Sequence, residues 1–446
     1  MTQNTTTKEV LAEALEDDTV RIAAMMLGIY VVYTAVGGVL GLSTNGIANT
    51  LRRVTFLTSV YAMLTLALNL QWGYAGLFNI GVTGFMAVGI YTTAIFTRPS
   101  VPASEEVPLG FGVPGLGMPL IVGIVAGMVA SALLGFLVAL PALRLRADYL
   151  AIVTVGLAEI LRLSFKSDAL GSFTLLGTRL GTGGGNGIAT PTNPVRLIFY
   201  KTAEGAGEPN GFGASVFSVM ESVGIQSSVV VSWAYVVVLA VFVGAIYWLA
   251  MRVGFSPFGR VLKAVREDED VARALGKNTD VFKIKIFMLG CALMGLAGIL
   301  WRGSQGRVYP DVFQPEFTFY VWVALIIGGS SSNTGSVLGA AVFSAGLWEG
   351  PRYLNQIVTN LFEIGSPPSA FDDAVAPILS LDFGPFIAYS VESLRGTLRL
   401  VIMGVVLIWL MQRHPEGLLG HRKEEASAVD LSVRKGGGDV EGGGDT

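Results

Sequence analysis

The sequence has very few of the side chains that metal and nucleophilic sites need. Its 446 residues include one cysteine, Cys291, and two histidines, His414 and His421. One cysteine excludes an intrachain disulfide, and these residues cannot form a His/Cys metal cluster or a Cys-His catalytic pair. No GxxxxGK[ST] phosphate-binding loop occurs, so we do not expect the chain to hydrolyse ATP itself. We therefore predict no enzymatic activity, no catalytic residue, no metal site and no cofactor bound by this chain.

Charged residues are also scarce, whereas apolar residues are abundant. Charged side chains make up 14% of the chain and hydrophobic ones 52%, and the mean hydropathy is +0.60. A helix that crosses a bilayer needs about 20 mostly apolar residues. We predict an all-α polytopic membrane protein, in contact with lipid and not with nucleic acid. It has about ten transmembrane segments, including broken or short helices: Ile22–Leu42, Val54–Leu70, Ile80–Phe96, Pro119–Leu143, Tyr149–Phe165, Val229–Met251, Lys285–Trp301, Phe317–Ile327, Val337–Trp348 and Leu398–Met411.

The distribution of Lys and Arg predicts the orientation in the membrane, because cytoplasmic loops carry an excess of both. Three clusters fall on one side of a ten-span model: Arg144 with Arg146, the segment 252–285, and Arg413 with Arg422 and Lys423. We assign this side to the cytoplasm of a cell-membrane protein, which places both termini there. Arg52, Arg53, Arg162 and Lys166 then lie outside and count against the model.

The same reading divides the chain into parts. Residues 1–20 form a cytoplasmic N-terminal segment without the basic start and cleavage site of a signal peptide, so we expect the first span to be retained. Residues 21–420 form the transmembrane domain, with polar outer segments at 97–118 and 167–226 and an outer insertion at 350–396. Residues 424–446 are acidic and Gly-rich, which predicts a disordered tail.

The segment 252–285, which we call the polar island, is a charged stretch between two hydrophobic spans. Phe258, Val261, Leu262 and Val265 form one helical stripe, with Arg260, Lys263 and Arg266 off it. The acidic run 267–270 suits the start of a second helix, which Gly276 can end in a left-handed cap. Two short helices of this kind would make a rigid docking element for a soluble partner. The alternative is a solvated loop that follows the positive-inside bias.

Several motifs in order resemble one transporter family. They are LNLQWGYAG at 68–76, LRLRADYLAIVTVGLAEILRL at 143–163, GRVLKAVREDEDVARALGKN at 259–278, PEFTFYVWVALIIGG with GSVLGA at 315–340, and RHPEGLLG at 413–420. On these motifs taken together, the chain resembles the permease subunits of ABC importers, in particular the branched-chain amino-acid and urea-type group. The resemblance covers about 54–345 and 398–420.

The resemblance implies the partners and the docking residues. A permease of this group pairs with a second permease, in a hetero-pair, and receives substrate from an extracytoplasmic solute-binding protein. Two cytoplasmic ATPase subunits, which use ATP, bind the coupling segment at about 255–278. By this resemblance the coupling residues are Phe258, Gly259, Arg260, Ala264, Arg266, Glu267, Asp268, Glu269, Asp270, Ala272, Ala274 and Gly276.

Two glycine-rich interruptions are candidates for the substrate pathway. The first runs from Asn69 to Gly81, and the second from Gly328 to Gly335. Broken helices line the substrate sites of many transporters, where a half-helix N-terminus, here near Ile80, can bind a carboxylate. Glycines also allow close helix packing, and the second interruption can be a plain cytoplasmic turn or the tip of a re-entrant pair. The candidate pathway residues are Asn69, Gly73, Tyr74, Gly76, Asn79, Gly81, Glu159, Gly328 and Gly329.

Two further segments have less specific readings. Glu159 lies within a predicted span, where a carboxylate is costly, and Arg162 lies one helical turn away. A structural ion pair is the favoured interpretation, and a substrate counter-ion is the alternative. TGGGNGI at 182–188 can contact the binding protein or form tight external turns.

We predict an ATP-driven permease subunit that transports branched-chain or related amino acids by alternating access. The chain departs from the family at Asn79-Ile80-Gly81-Val82 and Ser330-Ser331-Ser332-Asn333-Thr334. Both departures lie in the suspected pathway, so they bear on the identity of the substrate, whereas the coupling segment keeps the family pattern. Urea or a short amide is an alternative substrate. An ion-coupled secondary transporter is the alternative of another class.

Overall fold

The computed structural model describes residues 17–102, 112–142, 147–175, 177–202, 207–361, 368, 370–380, 382–414 and 416–419. The predicted tail at 424–446, most of the N-terminal segment 1–20, and the basic turn at Arg144 and Arg146 lie outside the described residues.

The described chain is almost entirely helical. The helices are α1 Asp18–Val39, α2 Thr44–Ala75, α3 Val82–Thr97, α4 Leu120–Ala142, α5 Ala147–Lys166, α6 Gly211–Ser222, α7 Ser227–Phe255, α8 Pro257–Glu267, α9 Glu269–Ala274, α10 Thr279–Arg302, α11 Pro315–Gly328, α12 Asn333–Val342, α13 Gly350–Leu361, α14 Phe371–Val375 and α15 Gly384–Arg413. Single-turn helices lie at Asp168–Gly171 and Arg196–Phe199, and a π-helix at Phe343–Glu349 follows α12 directly. Short 3-10 turns occupy Gly184–Asn186, Pro310–Val312 and Ala376–Ser380.

The predicted all-α polytopic membrane protein is confirmed, and each predicted span coincides with a helix. Helices α1, α2, α4, α7 and α10 are each long and apolar enough to cross a bilayer within the described residues. The segments Pro310–Gly328, which includes α11, and Asn333–Leu354, which includes α12, are long and apolar enough only when taken together. They are bent by 117° at the break between them. Helix α3 is shorter, and so is the apolar part of α15 at Met403–Arg413. Length alone therefore identifies only some of the predicted spans.

Helix α2 is the central element, and contacts along it show how the later helices run. Asn333 of α12 bonds Asn69 near the end of α2 that meets the polar island, and Ser336 bonds Thr65 one turn away. Further along, Phe343 packs on Tyr61, and Glu349 pairs with Arg53 near the far end of α2. The chain from 333 to 349 therefore runs antiparallel to α2 along most of its length.

We call the end of the bundle that carries the polar island the island end, and the other end the opposite end. Tyr30 of α1 bonds Thr55, and Gly37 packs on Ile47, so α1 also runs antiparallel to α2. The N-terminal end of α1 therefore points toward the island end. Residues 416–419, which follow α15, contact the turn after α11 at the same end.

Glycines let α3, α4 and α10 pack closely. A methyl group on Gly295 would overlap the side chain of Ser131, and one on Gly135 would overlap Cys291. Such small residues allow helices to approach one another where lipid supplies no hydrophobic drive for association. Cys291 is fully buried among them, so its role is packing.

The opposite end carries the short strands and the glycine-rich loop. Strand β1 (Phe173–Leu175) pairs with β2 (Thr178–Leu180), and β3 (Ile188–Ala189) pairs with β4 (Arg307–Val308), both antiparallel. Gly183 and Gly187 have φ values of 77° and 70° and pack against backbone, where a Cβ would clash. These contacts account for the glycines of the 182–188 loop by turn geometry.

Candidate functional site

The first interruption is a true break between α2 and α3. Gly76 takes a left-handed conformation with φ 68° and ends α2, and the chain resumes helix at Val82. The five residues between them return alongside the end of α2. Asn79 Nδ2 donates to Gln71 Oε1 at 2.8 Å, and Gln71 Nε2 donates to the Phe287 carbonyl at 2.9 Å. Backbone that leaves a helix within a membrane needs such partners, because lipid offers none.

Protein groups also satisfy the amides at the start of α3. Gly81 N–H donates to Asn79 Oδ1 at 2.8 Å, and Ile80 N–H donates to Thr154 Oγ1 at 3.0 Å. The Asn79 carbonyl accepts from the Trp322 indole at 3.1 Å. In this conformation the amides of Ile80 and Gly81 are already bonded, so they hold the break together and do not face a solute.

The second interruption joins the first through a set of buried amides. Ser331 N–H donates to Asn69 Oδ1 at 2.8 Å, and Asn69 Nδ2 donates to Asn333 Oδ1 at 3.0 Å. Asn333 Nδ2 in turn donates to the Tyr74 hydroxyl at 3.0 Å. Asn69 and Tyr74 are almost fully buried. The turn after α11 and the end of α2 therefore form one connected unit.

Glycines make this unit compact. A Cβ on Gly73 would clash with the Asn69 side chain, and one on Gly328 would clash with the Gly335 carbonyl. Gly329 has a φ of 97°, a conformation that side chains disfavour. Close packing explains Gly73 and Gly328 directly, and turn geometry explains Gly329.

The polar island folds as the predicted pair of short helices. Ser256 caps α8, with its Oγ accepting from Gly259 N–H at 3.2 Å. Asp268 caps α9 by accepting from the amides of Asp270 and Val271, each at 3.0 Å. Gly276 ends α9 with φ 78°, and Lys277 N–H donates back to the Ala272 carbonyl at 3.2 Å. The acidic start and the left-handed end predicted for the second helix are confirmed.

One face of the island packs on the membrane helices. Leu262 and Val265 are buried, and Phe258 stacks on Phe282 with the ring centres 5.2 Å apart. Gly259 and Ala272 are buried too. These residues fix the island to the bundle, so Phe258, Gly259 and Ala272 of the predicted coupling set lie on its packed side.

An ion pair ties the second short helix to α10. Glu269 accepts hydrogen bonds from Lys283 and, at 2.9 Å, from Thr279, and it pairs with Arg273 at 2.9 Å. Partial burial alone would raise the pKa of the Glu269 carboxyl. The bonds from Lys283 and Thr279 and the two neighbouring positive charges outweigh burial and lower this pKa below its ordinary value.

The other face of the island is open. Val271 and Leu275 are 55% and 74% exposed. The exposed residues of the predicted coupling set are Arg260, Ala264, Arg266, Glu267, Asp268, Asp270, Ala274 and Gly276. We call Val271, Leu275 and this set the island face.

Arg266 belongs to the island face and also reaches both interruptions. Its guanidinium donates to the Gly73 carbonyl and, at 2.6 Å, to Ser331 Oγ. Gly76 lies against its side chain, where a Cβ would be 3.2 Å from Arg266 Cγ. Sequence analysis assigned Arg266 to the predicted coupling residues, and Gly73 and Gly76 to the candidate pathway residues. In the structure Arg266 contacts both glycines. Ser331 and Asn333 lie in the second interruption but were not among the candidate pathway residues.

Residues of the motif at 413–420 contact the turn that follows α11. Leu418 N–H donates to the Ile327 carbonyl at 2.9 Å, and Leu419 N–H donates to the Gly328 carbonyl at 3.1 Å. Gly417, with φ 76°, packs directly on Gly329. Both carbonyls belong to the last turn of α11, where they lack helical partners. The C-terminal motif therefore caps α11.

Glu159 lies apart from the two interruptions. The predicted pair with Arg162 is observed, with Arg162 Nη2 2.6 Å from Glu159 Oε1. Arg162 also pairs with Asp311 at 2.6 Å, and Asp311 pairs with Lys166 at 2.9 Å. This network favours the structural interpretation of Glu159. Asp311 was not anticipated, because its contact with α5 depends on the tertiary fold.

Within the described residues, no group of three or more His, Cys, Asp or Glu side chains could hold a metal ion. The site therefore consists of a helix break, a glycine-rich turn and a charged helical pair joined by Arg266.

Comparison with known families decides what this arrangement belongs to. Residues 50–347 match the model of the family described as "Branched-chain amino acid transport system / permease component". The chain belongs to this permease family. Its matched region contains both interruptions and the whole polar island. The resemblance seen in the sequence is thereby confirmed, and with the apolar helices it makes this a multi-pass membrane protein of a transport family.

Individual members show the extent of the similarity. The high-affinity branched-chain amino acid permease LivM of Escherichia coli K12 is 34% identical over 289 residues, which are 64% of this chain and 60% of that protein. The chain thus spans less than two thirds of this relative. The guanosine ABC transporter permease NupQ of Bacillus subtilis is 28% identical over 277 residues, 60% of this chain and 71% of NupQ. The E. coli permease LivH is 30% identical over 95 residues, 21% of this chain and 30% of LivH. No solved structure matches the chain.

Proposed function

We propose that this chain is one permease subunit of an ATP-driven importer for branched-chain amino acids. The observation that carries the proposal is the contact of Arg266 with both helix interruptions, because it links an exposed docking face to buried backbone inside the membrane domain. A force applied to the island face would reach Gly73 and Ser331 through one side chain. The permease family and the named relatives support the transport role.

The partners follow from the island face and the relatives. Exposed Val271 and Leu275 within a charged rim suit a soluble protein that buries an apolar centre, and we assign this role to an ATPase subunit. Similarity to both LivM and LivH supports a second, different permease beside this one. A solute-binding protein would deliver the amino acid at the opposite end.

The orientation follows from the same assignment. If ATPases bind the island face, the island end is cytoplasmic, and so are the N-terminal end of α1 and residues 416–419. The arginines that oppose the positive-inside bias are then outside, and several have acidic partners there. Arg53 pairs with Glu349 at 2.7 Å, and Arg162 pairs with Asp311 at 2.6 Å. These acidic partners neutralise the two arginines, so an outer location of Arg53 and Arg162 is compatible with the proposed orientation.

Transport would proceed by alternating access. Closure of the two ATPases would move α8 and α9, which are fixed to α10 through Glu269 and to α2 through Arg266. The broken segment at 76–81 and the turn at 329–332 would then shift together, because Asn69 bonds the turn. Coupled transport requires a structural element with two conformations. Nucleotide binding would shift the equilibrium between them from one end of the protein, and solute binding from the other.

Co-expression with a candidate ATPase subunit and a candidate second permease from the same genome tests the proposal. The complex should take up radiolabelled leucine with ATP, and urea or guanosine should not compete. Leu275→Glu should abolish co-purification of the ATPase while the permease pair still assembles. Leu379→Glu is the matched control, since Leu379 is 94% exposed near the start of α15, away from the island. Leucine uptake without any ATPase would overturn the proposal in favour of a secondary transporter.

A further inference from the structure

Helix α6 leaves an apolar stripe uncovered. Phe212, Val219 and Val223, which directly follows the last turn, are 59%, 59% and 54% exposed. Together with the half-buried Val216 they are spaced i, i+4, i+7 and i+11, which places them on one helical face. An exposed apolar surface of this kind marks a site of contact with another protein or with a membrane.

The other contacts of α6 hold it firmly in place. Phe217 is buried and stacks on Phe199, with the ring centres 5.7 Å apart. Asn210 Oδ1 accepts from Gly213 N–H at 2.7 Å and caps the helix, while Asn210 Nδ2 donates to the Ile198 carbonyl at 3.0 Å. Ile198 is itself half-exposed, so the apolar surface extends past the N-terminal end of α6.

The exposed polar residues of α6 lie on a separate face. Ser215, Ser218, Glu221 and Ser222 are exposed, and their spacing of i, i+3, i+6 and i+7 keeps them together and away from the apolar stripe. The helix carries no Lys or Arg. It therefore has the amphipathic pattern of a helix that lies at a membrane interface, without the positive charge that would attract anionic lipids.

The segment that follows α6 sets its depth. Gln226 N–H donates to Asn45 Oδ1 at 2.9 Å beside the start of α2, so the turn between α6 and α7 lies at the opposite end. The uncharged apolar run of α7 reaches from Val229 to Met251, about 34 Å at 1.5 Å per residue, which is enough to fill a hydrocarbon core about 30 Å thick. Because α6 ends at Ser222, one short turn before this run, its C-terminal end lies where hydrocarbon meets the headgroups.

We infer that α6 is an interfacial membrane anchor, with Phe212, Val219 and Val223 inserted among the acyl chains of the leaflet at the opposite end. Lipid is favoured over a soluble partner because the stripe lies at a depth that acyl chains reach. Exposed apolar residues also continue along α7, at Val237 and Val241. The inference depends on the membrane-spanning helices and not on the proposed solute or the ATPase.

Spin labels on the full-length chain, in nanodiscs of zwitterionic phosphatidylcholine and without partners, test the inference. A nitroxide is attached to Val219→Cys on the stripe and, as the matched control, to Ser218→Cys on the polar face. We expect collisions of the Val219→Cys label to shift toward oxygen, which partitions into lipid, and those of the Ser218→Cys label toward a water-soluble nickel complex. Phe212→Cys and Glu221→Cys repeat the comparison. The wild-type chain controls for the native Cys291, which is fully buried.

Two results would overturn the inference. A Val219→Cys label as accessible to the nickel complex as the Ser218→Cys label would mean that the stripe faces water, as a docking surface for a soluble protein would. Low collision rates with both reagents would mean that protein covers the stripe, for example a second copy of this chain. Each labelled variant must keep the wild-type thermal midpoint, and Val223→Cys provides a second stripe position if Val219→Cys does not.

Discussion

Arg266 Nη1 lies 2.6 Å from Ser331 Oγ, although the two residues are 65 positions apart in sequence. Ser331 has φ 74°, a conformation that costs a serine free energy, and its amide bonds Asn69. The turn is therefore held in a strained shape by partners from α2 and from the island. If α8 moves relative to α2 as proposed, release of this strain would favour the rearranged turn.

Replacing Arg266 should uncouple hydrolysis from transport. Arg266→Gln removes the charged hydrogen bonds to Gly73 and Ser331, each worth about 1.5–3 kcal/mol, but leaves Val271 and Leu275 exposed for docking. We expect ATPase co-purification to persist while leucine uptake falls at least about tenfold. Arg260→Gln, on the same face without these bonds, is the control. Wild-type uptake by Arg266→Gln would show that the bonds do not transmit motion.

The end of α9 depends on the backbone conformation of Gly276. A Cβ at this position meets nothing within 4 Å, so only the φ of 78° opposes substitution. Gly276→Val should cost about 1–2 kcal/mol locally and misplace the exposed Leu275, whereas Gly276→Asn should be tolerated because asparagine accepts this conformation. Uptake and membrane insertion are measured in parallel. Loss of insertion in both variants, or full uptake by Gly276→Val, would contradict this account.

The contact between Gly328 and Gly335 should tolerate no side chain. Gly328→Ala places a methyl group into the Gly335 carbonyl, and overpacking of this kind costs about 1–3 kcal/mol. The thermal midpoint of the purified protein should fall. Gly244→Ala, in the middle of α7 with open space around its Cβ, should leave the midpoint unchanged or raise it. Similar midpoints for the two variants would rule out close packing as the role of Gly328.

Acidification should loosen the second island helix. The pKa of Glu269 in the folded chain is below its ordinary value of 4.5, so the stabilisation it provides is complete above that value. It is lost as pH falls below 4.5 and through the lower folded-state pKa. The protection factors of the amides at 269–276, taken relative to the unfolded-chain exchange rate at each pH, should fall over that interval in the wild-type chain. Glu269→Gln should give low protection factors at every pH, and a fall in this variant as large as that of the wild-type chain would place the titration elsewhere.

Patterns local in sequence predicted much of this molecule. Each apolar run predicted as a span coincides with a helix, and the stripe through Leu262 with the acidic run at 267–270 predicted both island helices. Glycine and asparagine between Asn69 and Gly81 predicted the break after Ala75. These features depend on periodicity and capping, which act over one or two helical turns.

The features that the sequence did not predict depend on contacts between segments that are distant in sequence. No local pattern shows that Arg266 reaches Gly73, that Asp311 joins the Glu159–Arg162 pair, or that Gln71 supports Asn79. In the sequence, Arg52 and Arg53 were exceptions to the positive-inside bias. In the fold both line a cavity, and Arg53 pairs with Glu349. Hydropathy reports the environment of a segment and not its neighbours.

The cap on α11 has a consequence for biosynthesis. Leu418 and Leu419, which bond the Ile327 and Gly328 carbonyls, leave the ribosome after all the other described elements. Until then the end of α11 has no partner for those groups, however well the earlier helices have inserted. A nascent chain stopped shortly before residue 417 would therefore enter the membrane with the Ile327 and Gly328 carbonyls uncapped.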